Sequence, residues 1–274
     1  MTRIVNNCVA LVCLCLFWGQ SLRAADASHS EQIKWGNESV FNEEHNTLGL
    51  FSGVLGGQIV LAGGTSDDYS RWGRNAVCLS ENAGFALYED VLSKPLAYGA
   101  SITLSDGILC IGGRYSSQCY KDVFFVTMQQ GKLNVSEDWP PLPFPLSNAA
   151  GALLDNKVYL FGGRKSVSPS RLSDSFFVLD LSNKSRGWKE LPGYPGCVRE
   201  DAILVVQNNG VSPCLYLLGG QTETEEGLSS CLTDGYVYNP QLGKWSSLGS
   251  DFPKGICAAV ASGANHILLF QKEP

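Results

Sequence analysis

Three arginines and two carboxylates stand where they could handle an anionic ligand. Arg114 and Arg164 each follow directly on a pair of glycines, in CIGGRYS (110–116) and LFGGRKS (160–166), and Gln221 takes the same place in LLGGQTE (217–223). Arg199 belongs to GCVREDA, with Glu200 and Asp201 beside it. A guanidinium offers parallel N–H donors that match a carboxylate, so these arginines suit an organic acid. Glu200, with Asp201 as the second candidate, could take and return a proton. The plainer alternatives are that Arg114 and Arg164 are solvated loop charges repeated by ancestry, and that Glu200 caps the strand or pairs with Arg199.

What positions these side chains is a repeat. The glycine pairs Gly63–Gly64, Gly112–Gly113, Gly162–Gly163 and Gly219–Gly220 recur about every 50 residues, a period typical of a repeat architecture. Each closes a stretch of two apolar runs joined by turn residues, as in AYGASIT-LSDG-ILCIGG, SNAAGALL-DN-KVYLFGG and EDAILVV-QNNG-VSPCLYLLGG. Such a pattern predicts a β-hairpin. A polar loop follows, then a third strand (KDVFFVTM, SDSFFVLDL, TDGYVYNP), then a fourth near a tryptophan: Trp139, Trp188 or Trp245. Four antiparallel strands per unit is a propeller blade, with the hairpins before Gly64, Gly113, Gly163 and Gly220 innermost and the tryptophan strands outermost. The fold class expected is therefore all-β, a β-propeller. The glycines are read as structural, letting crowded backbones approach, and the tryptophans as cover for the packing between blades.

The first unit is irregular, with no clear third strand in RWGRNAVCLSENAGFALYEDVLSK and an early tryptophan, Trp72. A fifth hairpin, GICAAVASGANHILLF (255–270), stops where its glycines should come. IKWGNES (33–39) resembles an outer strand that could close the ring on that hairpin; otherwise the array stays open, with exposed edges.

The composition bounds the partners. Lys and Arg total 20 against 26 Asp and Glu, with no basic stripe, which excludes an electrostatic footprint for nucleic acid. Residues 1–27 read as a secretory signal peptide: Arg3, the apolar run CVALVCLCLFWG (8–19) and small residues in SLRAADA. That run, about 12 residues long, is short of the roughly 20 a membrane-spanning helix needs. The expected location is periplasmic or extracellular, with no membrane contact after cleavage. Residues 28–47 form an N-terminal segment and 48–274 the propeller.

Removing the leader takes Cys8, Cys13 and Cys15 and leaves Cys78, Cys110, Cys119, Cys197, Cys214, Cys231 and Cys257, an odd set without a CxxC pair. One disulfide, Cys197–Cys231 or Cys110–Cys119, is compatible with an oxidising compartment. The only histidines are His29, His45 and His266, so no metal centre is expected on the propeller. TETEEG (222–227) lacks the spacing of a calcium loop. No nucleophile elbow, phosphate loop or zinc-protease motif is present, and no cofactor is expected.

Glycine pair, aromatic third strand and tryptophan together resemble kelch repeats over roughly residues 48–270. Beyond that pattern, GLFSGVLGGQIVLAGG, PLAYG and PLPFPLSNAAGAL are similar in order and wording to the cyclically permuted branch of the secreted kelch mutarotases, the family of N-acetylneuraminate epimerase. The resemblance implies a six-bladed propeller that interconverts the anomers of sialic acid, and this chain holds about one blade fewer. In that family a putative acid/base Glu directly follows the glycine pair of one blade. The equivalent positions here are Thr65, Arg114, Arg164 and Gln221, none of them a carboxylate. A mutarotase for a 2-keto sugar acid needs groups to take and give the hemiketal protons, and a cation for the carboxylate. Arg114, Arg164, Arg199 and Gln221 are then the substrate-binding candidates, Glu200 the catalytic one. Two classes of function stay open: an isomerase acting on an acidic sugar such as N-acetylneuraminate, or a propeller inactivated by the missing blade that binds carbohydrate or a protein partner.

Overall fold

The computed structural model describes residues 48–80, 84–224 and 226–271, and what it shows is almost entirely β-strand. Four antiparallel four-stranded sheets follow one another along the chain. Blade 1 comprises Phe51–Leu55, Gln58–Ala62, Ala76–Ser80 and Gly84–Tyr88; blade 2, Ala100–Thr103, Ile108–Ile111, Val123–Gln129 and Lys132–Ser136. Blade 3 comprises Ala150–Leu154, Lys157–Phe161, Phe176–Asp180 and Lys189–Glu190; blade 4, Ile203–Asn208, Pro213–Leu218, Gly235–Asn239 and Lys244–Gly249. Within each blade the strands lie side by side in chain order. A fifth hairpin, Ile256–Ser262 with His266–Gln271, packs its first strand on the first strand of blade 4. The first strands of blades 1 to 4 likewise contact one another in sequence, so they form the inner layer, as the strand order within each repeat predicts.

The cores lie between blades. Phe51, Val60, Cys78, Ile108, Cys110 and Phe124 join blades 1 and 2; Ile102, Leu109, Phe125, Val158, Leu160 and Phe177 join blades 2 and 3. Ala152, Tyr159, Phe161, Phe176, Leu215 and Tyr238 join blades 3 and 4. In blades 2 and 3 the inner strands thus bury one alternate set of side chains on one neighbour and the other set on the next, which is why their second strands read as continuous apolar runs. Every such large side chain withdrawn from water stabilises the fold by about 1.5–3 kcal/mol.

The tryptophans pack as expected but not all within outer strands. Trp245 lies in the fourth strand of blade 4, its ring centroid 5.0 Å from Phe176 of blade 3 and 5.1 Å from Tyr238. Trp188 immediately precedes its strand and donates Nε1–H to Pro140 O at 3.0 Å, bridging to the segment before blade 3. Trp139 follows its strand and tilts against Phe125 at 5.2 Å. Blade 1 does possess the third strand that its sequence obscures. Ala76, Val77 and Cys78 are buried there, too short an apolar run to stand out among polar neighbours.

The glycine pairs prove to be clasps between blades. Gly113 N–H donates to Leu146 O of the segment leading into blade 3 at 2.8 Å, and Gly64 and Gly163 make the same bond to Leu96 O and Arg199 O at 2.9 Å. At Gly112, φ is +63°, and a Cβ would stand 2.2 Å from Leu146 O. Gly63, Gly112 and Gly162 are crowded by the chain entering the next blade, whereas the second glycines crowd the start of their own inner strand, a Cβ at Gly163 standing 2.5 Å from Ser147 O and one at Gly220 2.9 Å from Ala202 Cα. All seven cysteines among the described residues are free thiols, so neither candidate disulfide forms. The strand proposed at 33–39 lies outside the described residues.

Candidate functional site

Just ahead of each inner strand the backbone takes a left-handed turn. Gly49, Tyr98, Asn148 and Asp201 occupy one register position in the four blades, with φ of +64°, +61°, +55° and +52°. They are linked from blade to blade: Tyr98 N–H donates to Gly49 O at 2.7 Å, Asn148 N–H to Tyr98 O at 2.7 Å, and Asp201 N–H to Asn148 O at 3.0 Å. These four residues form one hydrogen-bonded row just ahead of the inner strands, which marks the mouth of the inner layer. Asn and Asp tolerate this conformation, whereas at tyrosine it is an outlier held in place by the surrounding bonds.

The residue after each glycine pair comes to the same mouth. Thr65, Arg114, Arg164 and Gln221 each bridge to the residue preceding a ring position: Leu48, Ala97, Ser147 and Glu200. In blades 2, 3 and 4 the following residues fold into small hairpins, such as Arg114–Tyr115 with Gln118–Cys119, which raise side chains above the rim. Thr65 is fully buried, its hydroxyl spent on Arg71 O at 2.8 Å.

The candidate cations meet different fates. Arg164 is consumed by carboxylates: Nε donates to Glu200 Oε2 at 2.8 Å, Nη2 to Glu200 Oε1 and to Glu223 Oε1, the latter at 2.9 Å, and Nη1 to the Ser170 hydroxyl. Glu200 therefore pairs across the blade boundary with Arg164, not with Arg199, and both of its oxygens are engaged. The Ser170 hydroxyl, aided by Arg164, holds Glu223 below the usual carboxylate range.

Arg199 does not reach the channel. It is completely enclosed, with Nη1 and Nη2 each 2.7 Å from an Asp234 oxygen, Nη1 also 2.8 Å from Gly219 O, and Nε 2.8 Å from the Tyr194 hydroxyl. Its guanidinium also faces the Tyr194 and Tyr236 rings. The expectation that Arg199 touches ligand is corrected by strand alternation: Glu200 turns toward the mouth, so its neighbour turns into the wall. Burial would raise the Asp234 carboxyl, but the two hydrogen bonds from Arg199 outweigh it and the net shift is downward. Gln221 accepts the Ser229 hydroxyl on Oε1 at 2.5 Å.

Arg114 is the exception. Among the described residues it forms no ion pair; Nη1 donates only to Ser116 O at 2.7 Å. Its guanidinium lies 4.4 Å from the centroid of the Tyr98 ring, 5.3 Å from Trp72 and 5.6 Å from Tyr69. Trp72 in turn meets Tyr115 edge-on at 5.5 Å, and Tyr69 and Tyr115 remain 49% and 43% exposed. The result is a positive charge, half-buried and framed by aromatic rings, at the inner edge of the mouth.

Asp201 sits in the ring itself. Asn148 Nδ2 donates to its Oδ1 at 2.8 Å. The side chain touches solvent, yet protein surrounds it closely enough that lost hydration raises the carboxyl to about 6, with Glu200 adding to the rise and Asn148, Arg164 and Arg114 opposing it. Tyr98 is likewise held well above the ordinary tyrosine range, first by burial and then by its bond to the Tyr69 hydroxyl.

Tyr98, Asn148, Trp72 and Tyr69 were not read from the sequence as site residues, although a signal exists for Tyr98 and Asn148. Aligning the repeats on the glycine pairs puts Gly49, Tyr98 and Asn148 in one column, and Asp201 joins it once the longer hairpin of blade 4 is allowed for. A cavity of about 210 Å³ lies elsewhere, against the interface of blades 1 and 2, among Leu92, Lys94, Asp122, Phe124 and Trp139. It holds none of the candidate residues. No group of side chains suited to a metal ion occurs among the described residues.

Known proteins resemble this chain in sequence and in fold. Residues 139–271 match the family model of N-acetylneuraminate epimerase. An N-acetylneuraminate epimerase of Yersinia pestis is 30% identical over 139 residues, covering 49% of this chain and 33% of the relative. One from Haemophilus influenzae is 31% identical over 131 residues, covering 48% and 32%, and a kelch domain-containing protein of Vibrio cholerae is 31% identical over 121 residues, covering 44% and 31%. The matched stretches thus span about a third of the length of these relatives. The solved structure titled "Structure of YjhT" superposes with a TM-score of 0.58 at 15% identity, covering 74% of this chain and 70% of that one, a likeness of fold. Repeat and blade architecture make this chain a kelch-type propeller in fold, and residues 139–271 are similar in sequence to the N-acetylneuraminate epimerase family.

Proposed function

We propose that the chain binds N-acetylneuraminate, or a closely related 2-keto sugar acid, at the channel mouth and interconverts its anomers. The observation that carries this reading is the state of Arg114. Arg164 and Arg199 are neutralised by Glu200, Glu223 and Asp234, and Arg114 alone of the three has a guanidinium edge left for an anion. The aromatic rings around it lower its hydration, so a carboxylate arriving there gains a stronger charge-assisted bond than it would at an open surface. The exposed rings of Tyr69 and Tyr115 suit the apolar face of a pyranose. The names of the sequence relatives support the choice of acid, and the 2-keto acid's hemiketal supplies a reaction needing only proton transfer.

Two measurements on the purified full-length chain test this. Calorimetric titration should show binding of N-acetylneuraminate and much weaker binding of its methyl ester, which lacks the negative charge. NMR exchange between the anomers should be faster with protein than with buffer alone. Equal affinity for acid and ester removes the role given to Arg114. We also propose that the chain works outside the cytoplasm after cleavage near Ala24 or Ala27; N-terminal sequencing of exported protein that begins at Met1 refutes it.

A further inference from the structure

We propose that Asp201 is the catalytic residue that moves the proton of the anomeric hydroxyl, an inference that rests on the reading of the mouth as the place of an acidic sugar. The position equivalent to the family's acid/base carboxylate holds Thr65, Arg114, Arg164 or Gln221 in this chain, and Glu200 has both oxygens committed to Arg164. Asp201 differs from Glu200 in every respect that proton transfer requires. It occupies a ring position at the channel mouth rather than the flank of an ion pair. Its backbone is fixed by the bond to Asn148 O, and its Oδ1 is held by the Asn148 side chain. Among the described residues its Oδ2 accepts no hydrogen bond, so one oxygen is aimed by its partner and the other is left for a ligand.

The groups that face Asp201 come from its own segment, from blade 3 and from blade 2. Glu200 is beside it, Arg164 and Asn148 lie across the blade boundary, and Arg114 and Tyr98 lie one blade further on. Glu200 is paired with Arg164, itself also bound to Glu223, so this neighbouring charge is largely compensated locally. Loss of hydration therefore governs the carboxyl and brings it to about 6, near neutral working pH, where a proton carrier is most effective.

The step balances without any cofactor. The Asp201 carboxylate takes the proton of the anomeric hydroxyl, and the electrons of that O–H bond form the ketone C=O. The ring C–O bond breaks, and its electron pair stays on the former ring oxygen, which takes a proton from water. After rotation the hydroxyl adds to the other face of the ketone, returning its proton to the water-derived hydroxide. Asp201 then gives its proton to the new anomeric oxygen. Arg114 holds the carboxylate through both halves.

The test compares wild type with Asp201→Asn and Asn148→Ala. Asparagine keeps the shape and accepts the left-handed backbone, so the fold should survive. Asp201→Asn should slow protein-catalysed anomer exchange by roughly 10²- to 10⁴-fold while leaving the affinity for N-acetylneuraminate within about threefold, since a uniform-binding role would change affinity instead. In wild type the rate should rise with pH through a midpoint near 6, where the base form appears. Asn148→Ala should move that midpoint upward, because the lost hydrogen bond favoured the ionised form. Asp201→Asn that exchanges anomers at the wild-type rate overturns the inference alone, whereas wild type that binds the acid without accelerating exchange overturns it together with the anomer interconversion proposed above. Wild type that does not bind the acid overturns the underlying reading and the inference with it.

Discussion

At the scale of single residues, two carboxylates of blade 4, Asp234 and Asp201, pull stability in opposite directions. Asp234 is depressed in the folded chain by Arg199, so its contribution is fully present above the unfolded carboxylate range near pH 4 and fades as pH falls through the lower folded value. Asp234→Ala would strand an enclosed guanidinium, and thermal unfolding at pH 7 should show a loss of about 3–5 kcal/mol. Asp201 has the reverse sign. Its folded value of about 6 lies above the unfolded one, so the folded state binds the extra proton between about pH 4 and 6 and loses stability as pH rises through that window. Asp201→Asn should therefore unfold at a higher temperature than wild type at pH 7.5, with the gap closing by pH 4; an unchanged gap contradicts the upward shift of this carboxyl. Arg114→Ala should abolish the preference for acid over ester in titrations, a loss of about 1.5–3 kcal/mol for one charged hydrogen bond, and leave the unfolding midpoint nearly unchanged. Of these residues, sequence pattern alone placed Arg114, Arg164 and Gln221 at one rim because the glycine pairs fix their register. It could not tell which arginine stays unpaired, because that depends on Glu200, Glu223 and Asp234, contributed by other loops and strands.

At the scale of elements, the glycine clasps set the join between blades. Gly112→Ala brings a Cβ to 2.2 Å from Leu146 O at a φ of +63°, so it must shift a backbone that also bonds Gly113. Gly56→Ala carries a similar φ of +55° at a hairpin tip with open space around it. Denaturant unfolding should show a cost near 1–2 kcal/mol for Gly56→Ala from conformation alone, and clearly more for Gly112→Ala. Equal costs would mean that the clasp carries no strain. Hairpins and strand order were legible because alternation, Asp-Gly type turns and the glycine pairs all recur with one period. The third strand of blade 1 was not, because Ala76–Ser80 offers three buried residues and no aromatic. The tryptophans were legible as packing residues but not as strand members. Their large rings reach the neighbouring blade from a strand or from the turn beside it, and nothing in a single sequence separates the two.

At the scale of the whole molecule, three cores join four blades, so blades 2 and 3 are packed on both faces. The fifth hairpin is tied more lightly. Gln207 Nε2 donates to His266 O at 2.6 Å, and Ile256 and Ala258 are its buried residues. The series of glycine clasps made by Gly64, Gly113 and Gly163 does not continue at Gly220 among the described residues. Hydrogen–deuterium exchange should be slowest in Leu109–Ile111 and Val158–Leu160 and fastest, among strands, in His266–Gln271; uniform protection would show that the hairpin is as firmly held as a full blade. The blade count was readable from the period, whereas the expected closing strand at 33–39 falls outside the described residues.

The ring of left-handed residues has an electrical consequence. From Gly49 to Asp201 the peptide groups donate in one rotational sense, each N–H to the carbonyl one blade back. Aligned peptide dipoles reinforce one another along such a chain as they do along a helix axis, here bent around a channel. The carbonyl end, which is the negative pole, falls at Asp201. A carboxylate placed at a negative pole holds its proton more tightly, so the backbone itself favours the protonated form of the group that burial has already shifted. The positive pole falls at Gly49, which carries no side chain to compete for an anion.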